Sequence, residues 1–462
     1  MKRYLAVERV DGFPFPRSLA ITDKPEIPPD KDEDVGPSEV SDRTIPPVIQ
    51  LQKDFFEQIH SYIDGLPSLV SMGPMLQGAA FFETVDFVEN KISEGEPTKI
   101  DDWSFYEVLP ANQERLRRSL KSSARRARSL DGISEMVLLG AVSQFDAFMG
   151  RLLRLCLDVR PDIIGKSEKT FAAHQVFEYS DLEAFREAVI EKTIESFLRK
   201  SHQDQFSWLS NAFDVKLTNG LSSWPKFIET FERRNLFAHS QGIVSETYRL
   251  KLLEAGWESV PDIGEKLSAD PSYISERLQV FAEIGLKLAQ VLGRKLDKSG
   301  SDLKEYEAAI NDFGYQLIGH GHFSLAIEIL NFGLSCPKFA DEGTKMMMEV
   351  NLANALKLVG DNEESEKILA DRQWSTASLD FEISVAAIRC DTKRVVELMP
   401  RFQTSDDEAK WALRHWPVFV HVRDQDDFQH AYKSRFNENF KAAFDLMTLD
   451  GVDDEHDKVE TQ

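Results

Sequence analysis

The feature that most constrains this fold is the recurrence of apolar side chains at every third or fourth residue over long stretches. The segment 131–157 (DGISEMVLLGAVSQFDAFMGRLLRLCL) shows this pattern, which predicts a long amphipathic helix with Asp131 as its N-cap. The same pattern occurs in 181–200, 226–239 and 273–298. Four long helices separated by polar loops predict an all-α bundle.

The N-terminal part of the chain follows other patterns. Residues 4–10 (YLAVERV) alternate apolar and polar side chains, which favours a short strand. Eight of the 19 prolines lie among the first 50 residues, so we expect residues 1–46 to form a strand and linker arm. Residues 47–128 are expected to be a helical region. Within it, the prolines of the uncharged stretch 65–82 favour a buried or irregular segment over a membrane span.

The net charge of −23 at pH 7 limits the partners of this chain. An acidic chain does not coat long nucleic acid or anionic membrane by charge alone, so a phosphate-bearing ligand needs a locally basic surface. The three cysteines are far apart and lie among apolar residues, which is typical of a reducing cytosol. The N-terminus has no continuous apolar signal segment. We therefore expect a cytoplasmic protein without a membrane partner.

One locally basic segment lies at 115–129 (RLRRSLKSSARRARS), with seven basic residues and no acidic residue. On a helix, four of its arginines share one broad face: Arg115, Arg118, Arg125 and Arg126. Two interpretations remain open for this face. It is either a solvated surface that pairs with acids elsewhere, or a track for the phosphate backbone of RNA.

The stretch 226–240 (KFIETFERRNLFAHS) places polar groups among the apolar residues of a helix. Asn235 and His239 are four residues apart, so they share a face and can touch. Arg234 lies about 100° round the helix from Asn235. Gly242 offers the left-handed conformation that ends a helix, which places His239 in the last turn. An imidazole held there by a neighbouring amide suits proton transfer.

The string RNLFAH within this helix resembles the R-N-x-x-x-H signature of HEPN domains (higher eukaryotes and prokaryotes nucleotide-binding). The segment 133–157 resembles the first helix of those domains and 181–200 the next, so the resemblance covers about 129–298. One departure is that Ser240 and Gln241 stand where family members often carry asparagines. The resemblance implies a helical bundle that forms a homodimer across the motif helices.

The resemblance also implies an activity, that of a metal-independent endoribonuclease without a cofactor. His239 would take the proton from a ribose 2′-OH or donate one to the leaving 5′-oxygen. Arg234 would bind the phosphate, and Asn235 would hold the geometry of the site. Arg233 is a further candidate for RNA contact. The alternative is a non-catalytic scaffold or nucleotide-sensing module, in which the three motif residues form a satisfied hydrogen-bond network.

After a linker near residue 300 the sequence repeats. Twelve residues separate Gly314 from Ala326 and Ala353 from Ser365, with Gly360 in the second turn. Successive copies place small side chains 39, 31 and 35 residues apart, close to the period of about 34 residues that characterises tetratricopeptide repeats: Ala326, Ser365, Val396 and Ala431.

We therefore expect tetratricopeptide-like helical repeats over 300–440, followed by an acidic tail over 441–462. A plain helical bundle is the alternative. Such repeats offer a concave surface for a protein or peptide partner. A ribonuclease joined to a sensing domain resembles prokaryotic toxin or antiviral-defence effectors.

The remaining histidines are interpreted chiefly as packing or surface residues. His320 and His322 form an H-G-H in the turn of the first repeat, where a metal site is the less favoured alternative. His415, His421 and His430 lie near tryptophans in the last repeats. The sequence contains no G-x-x-x-x-G-K-[ST], H-E-x-x-H, C-x-x-C or G-x-S-x-G motif, so we expect no metal site.

Overall fold

The structure is a computed structural model that describes residues 4–9, 16–22, 45–92, 98–100, 103–106, 108, 110–130, 132–166, 176 and 179–442. Only the backbone is described for 4–9, 16–22, 70–81, 83, 98–100, 103–105, 126–130 and 165–166. The chain divides into two units, residues 1–44 and residues 45–462.

The first unit contains a hairpin of β1 (Tyr4–Arg9) and β2 (Pro16–Thr22). The strands are antiparallel, with Tyr4 opposite Thr22 and an irregularity between Glu8 and Arg9. The first strand lies where the alternating pattern favours one. Most of the linker expected within residues 1–46 lies outside the described residues, as does the acidic tail beyond residue 442.

The second unit is helical, which confirms the all-α class. Its N-terminal half contains a small hairpin, β3 (Thr98–Ile100) and β4 (Trp103–Phe105), and the following helices: α1 (Pro47–Phe87), α2 (Gln113–Leu130), α3 (Ile133–Val159), α4 (Leu182–Leu198), α5 (His202–Phe213), α6 (Trp224–Ser240), α7 (Glu246–Glu254) and α8 (Pro271–Leu296).

Its C-terminal half consists of successive helical hairpins: α9 (Leu303–Gly319) with α10 (Phe323–Leu334), α11 (Glu342–Leu358) with α12 (Asn362–Ala370), α13 (Leu379–Ile388) with α14 (Thr392–Leu398), and α15 (Asp406–His415) with α16 (Asp426–Phe436).

Helices α3, α4, α6 and α8 lie where the apolar periodicity predicts them. Asp181 caps α4, because its carboxylate accepts a hydrogen bond of 2.8 Å from the Ala184 N–H. Gly132 occupies the N-cap position of α3 that was expected for Asp131, and Asp131 itself lies outside the described residues. A local pattern of apolar spacing and capping was sufficient to locate these helices, because both signals act within a few residues.

Of the two alternatives expected for 65–82, a buried or an irregular segment, the irregular one was wrong, because α1 continues as a helix through Pro67 and Pro74. The cost of a proline inside a helix is about 3 kcal/mol, an amount that tertiary packing outweighs. The first half of α1 supplies such packing, with Phe55 stacked on Phe148 at 4.2 Å between ring centroids. Helix does not extend through all of the expected region 47–128, since β3 and β4 lie between α1 and α2.

Helix α1 belongs to the same apolar core as α3, α6 and α8, so the domain boundary expected at residue 128 does not separate two cores. The Gln52 amide donates to the Leu286 carbonyl on α8 at 3.0 Å. Gly285 on α8 permits this approach, because a Cβ there would overlap the Phe55 ring. The apolar core then continues from α8 into α9, α10 and α11.

The hairpins after residue 300 pack through close contacts between paired helices. A Cβ on Gly314 would lie 2.5 Å from the Leu330 side chain, and the Ser365 hydroxyl donates to the Ala353 carbonyl at 2.8 Å. In the last two hairpins, the buried side chain lies one residue away from the position that the repeat spacing predicts. Val395 and Tyr432 are buried there, whereas Val396 and Ala431 are only partly buried.

Among the described residues, α3 is long and apolar enough to cross a membrane by length and composition. Half of the most apolar 18-residue stretch of α3 is buried inside the unit. Phe145 and Met149 lie in the core shared by α1 and α8. A central helix of a folded domain passes the same test, so the composition of α3 is explained by its position in the core.

Candidate functional site

The C-terminal end of α6 is held in place by two residues with left-handed backbones. Gln241 has φ 52° and Gly242 has φ 80°, and the Gly242 N–H donates to the Leu236 carbonyl at 3.1 Å. A Cβ on Gly242 would lie 2.7 Å from the Leu267 carbonyl oxygen. The helix stop predicted at Gly242 is therefore present, and the close approach to Leu267 leaves room only for glycine.

The inner face of α6 anchors the motif to the core. Phe227 and Phe231 are buried and pack edge to face, with ring centroids 4.9 Å apart. Phe145 from α3 and Phe281 from α8 close the cluster at 5.0 Å from Phe227 and 5.3 Å from Phe231, respectively. This packing fixes the rotation of α6 about its axis, and so it determines where the polar side chains of the motif point.

Arg234 lies between this aromatic cluster and solvent, with 28% of its side chain exposed. Its Nη2 is 3.8 Å from Asp146 Oδ2 on α3. Its Nε is buried and has no hydrogen-bond partner among the described residues. Since a buried donor without a partner is costly, this guanidinium is poised to bind an additional anion.

Asp146 also binds His202, at the start of α5, with 3.0 Å between Asp146 Oδ1 and His202 Nε2. A carboxylate oxygen only accepts, so Nε2 carries the proton. The ring of His202 stacks on Phe231. Burial lowers the pKa of His202, and the Asp146 carboxylate opposes that shift. Asp146 thus links Arg234 to a second imidazole within the same chain.

Arg234 and Asn235 line an open pocket of about 520 Å³ beside the α4–α5 turn and α7. This volume is in the range of small-molecule sites. The pocket has basic side chains from the turn and from α7, namely Arg199, Lys200 and Lys251. Acidic side chains also line it, and one of them, Glu232, accepts from Lys251 Nζ at 2.7 Å. The pocket is therefore of mixed charge.

His239 is exposed at the end of α6 and is not among the residues that line this pocket. Within the described residues, no hydrogen bond joins Asn235 to His239, although the spacing allows contact. Five residues separate Arg234 from His239, which turns their side chains about 140° apart around the helix axis. A single chain therefore does not bring all three predicted catalytic residues together.

Arg233 has a structural role, and its placement does not support the RNA contact predicted for it. Its side chain is 17% exposed, and its Nε donates to Glu229 Oε1 at 2.6 Å. Its Nη1 donates to the Ser268 carbonyl at 3.0 Å, and the guanidinium stacks over the Tyr273 ring at 4.1 Å. Glu229 is buried and also accepts from the hydroxyls of Tyr248 and Tyr273, both at 2.8 Å.

The basic face predicted at 115–129 lies on α2. Arg115, Arg118 and Arg125 are exposed, and the side chain of Arg126 lies outside the described residues. Arg118 pairs with Glu114 one turn earlier at 3.2 Å, whereas Arg115 lies over the Phe87 ring at 5.5 Å. Both interpretations of this face therefore stay open.

The sequence reasoning missed two residues of this site. Asp146 was noted only as part of a helix that resembles the family, and His202 was not singled out. These residues are 56 positions apart. The only local signal is Ser201, which caps α5 by accepting from the Asp204 N–H at 3.2 Å. That signal places His202 in a first helical turn but does not reveal its partner.

In comparisons with known proteins, no family model, no curated protein and no solved structure matches this chain. The resemblance to HEPN domains therefore rests on the residues of α6 and the helices before it.

Proposed function

We propose that this chain is a metal-independent endoribonuclease of the HEPN type that acts as a homodimer. The observation that carries the proposal is the placement of Arg234. Its guanidinium lies at an open pocket of about 520 Å³, with a buried Nε that has no partner among the described residues. Such a group is suited to bind a phosphate and to stabilise the charge that develops on it.

The proposed chemistry uses the ribose 2′-OH as the internal nucleophile. His239 takes its proton, or donates one to the leaving 5′-oxygen, and Arg234 holds the phosphate. Asn235, which lines the same pocket as Arg234, maintains the position of the substrate. The products carry a 2′,3′-cyclic phosphate or its hydrolysed form. DNA lacks the attacking hydroxyl and is not cut by this route.

The homodimer is part of the proposal because one chain does not assemble the site. A second copy facing α6 would bring its own His239 towards Arg234. The surface beside the end of α6 supports such packing, because three large apolar side chains of this region are about half exposed: Ile243 at 45%, Leu250 at 51% and Leu253 at 50%. Exposed apolar surface often marks a protein interface.

The helical hairpins after residue 300 are proposed to regulate this activity by binding a protein or peptide. A pocket of about 500 Å³ on this region supports that role. It is lined in part by Tyr315, Met347, Phe381 and Trp416, side chains that anchor peptides well. A ribonuclease controlled in this way fits a toxin or antiviral-defence effector in the cytoplasm.

The test is cleavage of several RNA classes by the wild-type protein, Arg234→Ala and His239→Ala, each with EDTA present. We expect each substitution to lower the cleavage rate by about 10²- to 10³-fold, and EDTA to leave the wild-type rate unchanged. Arg401→Ala and His430→Ala, which remove exposed side chains far along the chain, serve as controls. Equal cleavage by all variants, or loss of cleavage with EDTA, would contradict the proposal.

A second candidate is the non-catalytic scaffold or nucleotide-sensing module. It is favoured by the contact of 3.8 Å between Arg234 and Asp146, which gives the arginine a partner inside its own chain. This candidate predicts nucleotide or RNA binding that Arg234→Ala weakens, with no cleavage of any RNA class.

A further inference from the structure

Three side chains with metal-ligating groups converge away from the candidate ribonuclease site, and a fourth lies beside them. His60 and Asp64 lie one turn apart on α1, and His320 and His322 flank the turn between α9 and α10. The ligand atoms of His60, Asp64 and His320 all lie within 4.8 Å of one another. His322 approaches the same carboxylate, with 3.8 Å between its Nε2 and Asp64 Oδ1.

The two buried imidazoles of this cluster are incompletely paired. The side chains of His60 and His322 are 8% and 3% exposed. In each ring, Nε2 is buried without a hydrogen-bond partner among the described residues. Native proteins rarely leave buried polar atoms in this state, because each such atom loses its hydrogen bonds to water without replacement. His60 Nδ1 lies 3.3 Å from Asp64 Oδ2, so the contacts of both rings with this cluster run through the Asp64 carboxylate. A cation bound there would supply a partner that the two buried rings lack.

The orientation of the exposed ring of this cluster suits metal binding. His320 Nδ1 lies 2.8 Å from the Gln316 carbonyl oxygen. Because a carbonyl only accepts, Nδ1 carries the proton and Nε2 is left free, which is how metal-binding histidines are usually oriented.

We propose that His60, Asp64 and His320 bind one divalent transition-metal ion, with Zn²⁺ as the best-suited class and His322 beside the site. Two imidazole nitrogens and one carboxylate oxygen are ligands that Zn²⁺ prefers, whereas Ca²⁺ and Mg²⁺ require mostly oxygen. The ion would tie α1 to the α9–α10 turn, and so join the N-terminal bundle to the first hairpin. The site goes beyond the proposed ribonuclease and takes no part in its chemistry.

Sequence patterns indicated only one part of this site, the H-G-H of His320 and His322. The other half is the H-x-x-x-D of α1, whose two side chains share a helix face. Between His60 and His320 the chain runs through the whole HEPN-like region. Only the packing of α1 beside α9, with Phe56 and Phe313 rings 4.9 Å apart, brings the two halves together.

The experiment uses the full chain stripped of metal with a chelator and then titrated with Zn²⁺ by calorimetry and with Co²⁺ by visible absorption. We expect one ion per chain and a Co²⁺ spectrum of nitrogen and oxygen ligation. His320→Ala and Asp64→Asn alter exposed side chains, so both variants should fold. Loss of a direct ligand should weaken Zn²⁺ binding by more than about 100-fold, since loss of a supporting residue alone costs 10- to 100-fold.

His430→Ala is the matched control. His430 is exposed on a helix, and its Nδ1 lies 2.8 Å from the carbonyl four residues earlier, as in His320. We expect this variant to bind Zn²⁺ like the wild type. Zn²⁺ should also raise the Tm of the wild type and of His430→Ala, but not that of His320→Ala.

The proposal is overturned if the wild type binds no Zn²⁺ at micromolar concentration, or if His320→Ala and Asp64→Asn bind it as the wild type does. RNA cleavage is measured separately, below the Tm of the metal-free protein. Failure of the metal site therefore leaves the ribonuclease proposal standing, and failure of cleavage does not affect the binding result.

Discussion

At the scale of single residues, neighbouring side chains of α6 have different roles. Arg233 and Arg234 are adjacent in the sequence, yet they are turned about 100° apart. Arg233 points towards the buried Glu229, with 2.6 Å between its Nε and Oε1. Arg234 points towards Asp146 and the open pocket. Substitution by alanine should therefore change the stability of the protein by different amounts at the two positions.

We predict that Arg233→Ala lowers the free energy of unfolding by roughly 2 kcal/mol, because it removes a charged hydrogen-bond donor from the buried Glu229 carboxylate, which keeps Arg277 at 3.3 Å. Arg234→Ala should lower it by less than about 1 kcal/mol. Urea denaturation of both variants measures the difference. A larger loss of stability in Arg234→Ala than in Arg233→Ala would show that the roles assigned to the two side chains are wrong.

At the scale of elements, the end of α6 depends on a glycine that is constrained in two ways. Gly242 has a left-handed backbone with φ 80°, and its Cα faces the Leu267 carbonyl. Gly264 provides a comparison, since it has φ 86° but no atom within 4 Å of an added Cβ. Any difference in stability between alanine variants at the two glycines therefore measures the effect of the close contact with Leu267 and not of the backbone conformation.

We predict that Gly242→Ala lowers the free energy of unfolding by about 2 to 4 kcal/mol, from backbone strain together with the steric clash. Gly264→Ala should cost only about 1 kcal/mol, from backbone strain alone. Thermal or urea unfolding of the two variants checks this. Equal losses would mean that Leu267 moves away freely and that the end of α6 is not held by this contact.

At the scale of the whole molecule, the proposed activity depends on which chain supplies each residue. Arg234 and His239 point in different directions from α6. This geometry suits a site to which one chain contributes the arginine and the other chain the histidine. In a symmetric dimer, two such sites would form across the interface. A mixture of two inactive variants can test this arrangement directly.

We predict that Arg234→Ala mixed in equal amounts with His239→Ala regains about a quarter of the wild-type cleavage rate. Half of the dimers are then mixed, and each of these holds one intact site. The measurement is RNA cleavage after the two proteins have been denatured and refolded together, with each variant alone as the control. No recovery in the mixture would indicate that the arginine and histidine of one site come from the same chain.

Much of the fold could be predicted from local patterns of sequence. The apolar spacing located α3, α4, α6 and α8, and Gly242 marked the end of α6. The pairing of helices after residue 300 was also visible. The positions of the buried residues in the last two hairpins could not be predicted, because the residues at matched positions there are not consistently small.

The sequence by itself determined which segments are helical and where the motif helix ends, because apolar periodicity and capping act over one or two turns. The tertiary structure decided which polar groups meet. Glu229 binds Arg233, and Asp146 contacts both Arg234 and His202. His60 on α1 lies close to His320 in the α9–α10 turn. These contacts join residues far apart in the chain, so only the packing of the shared core could select them.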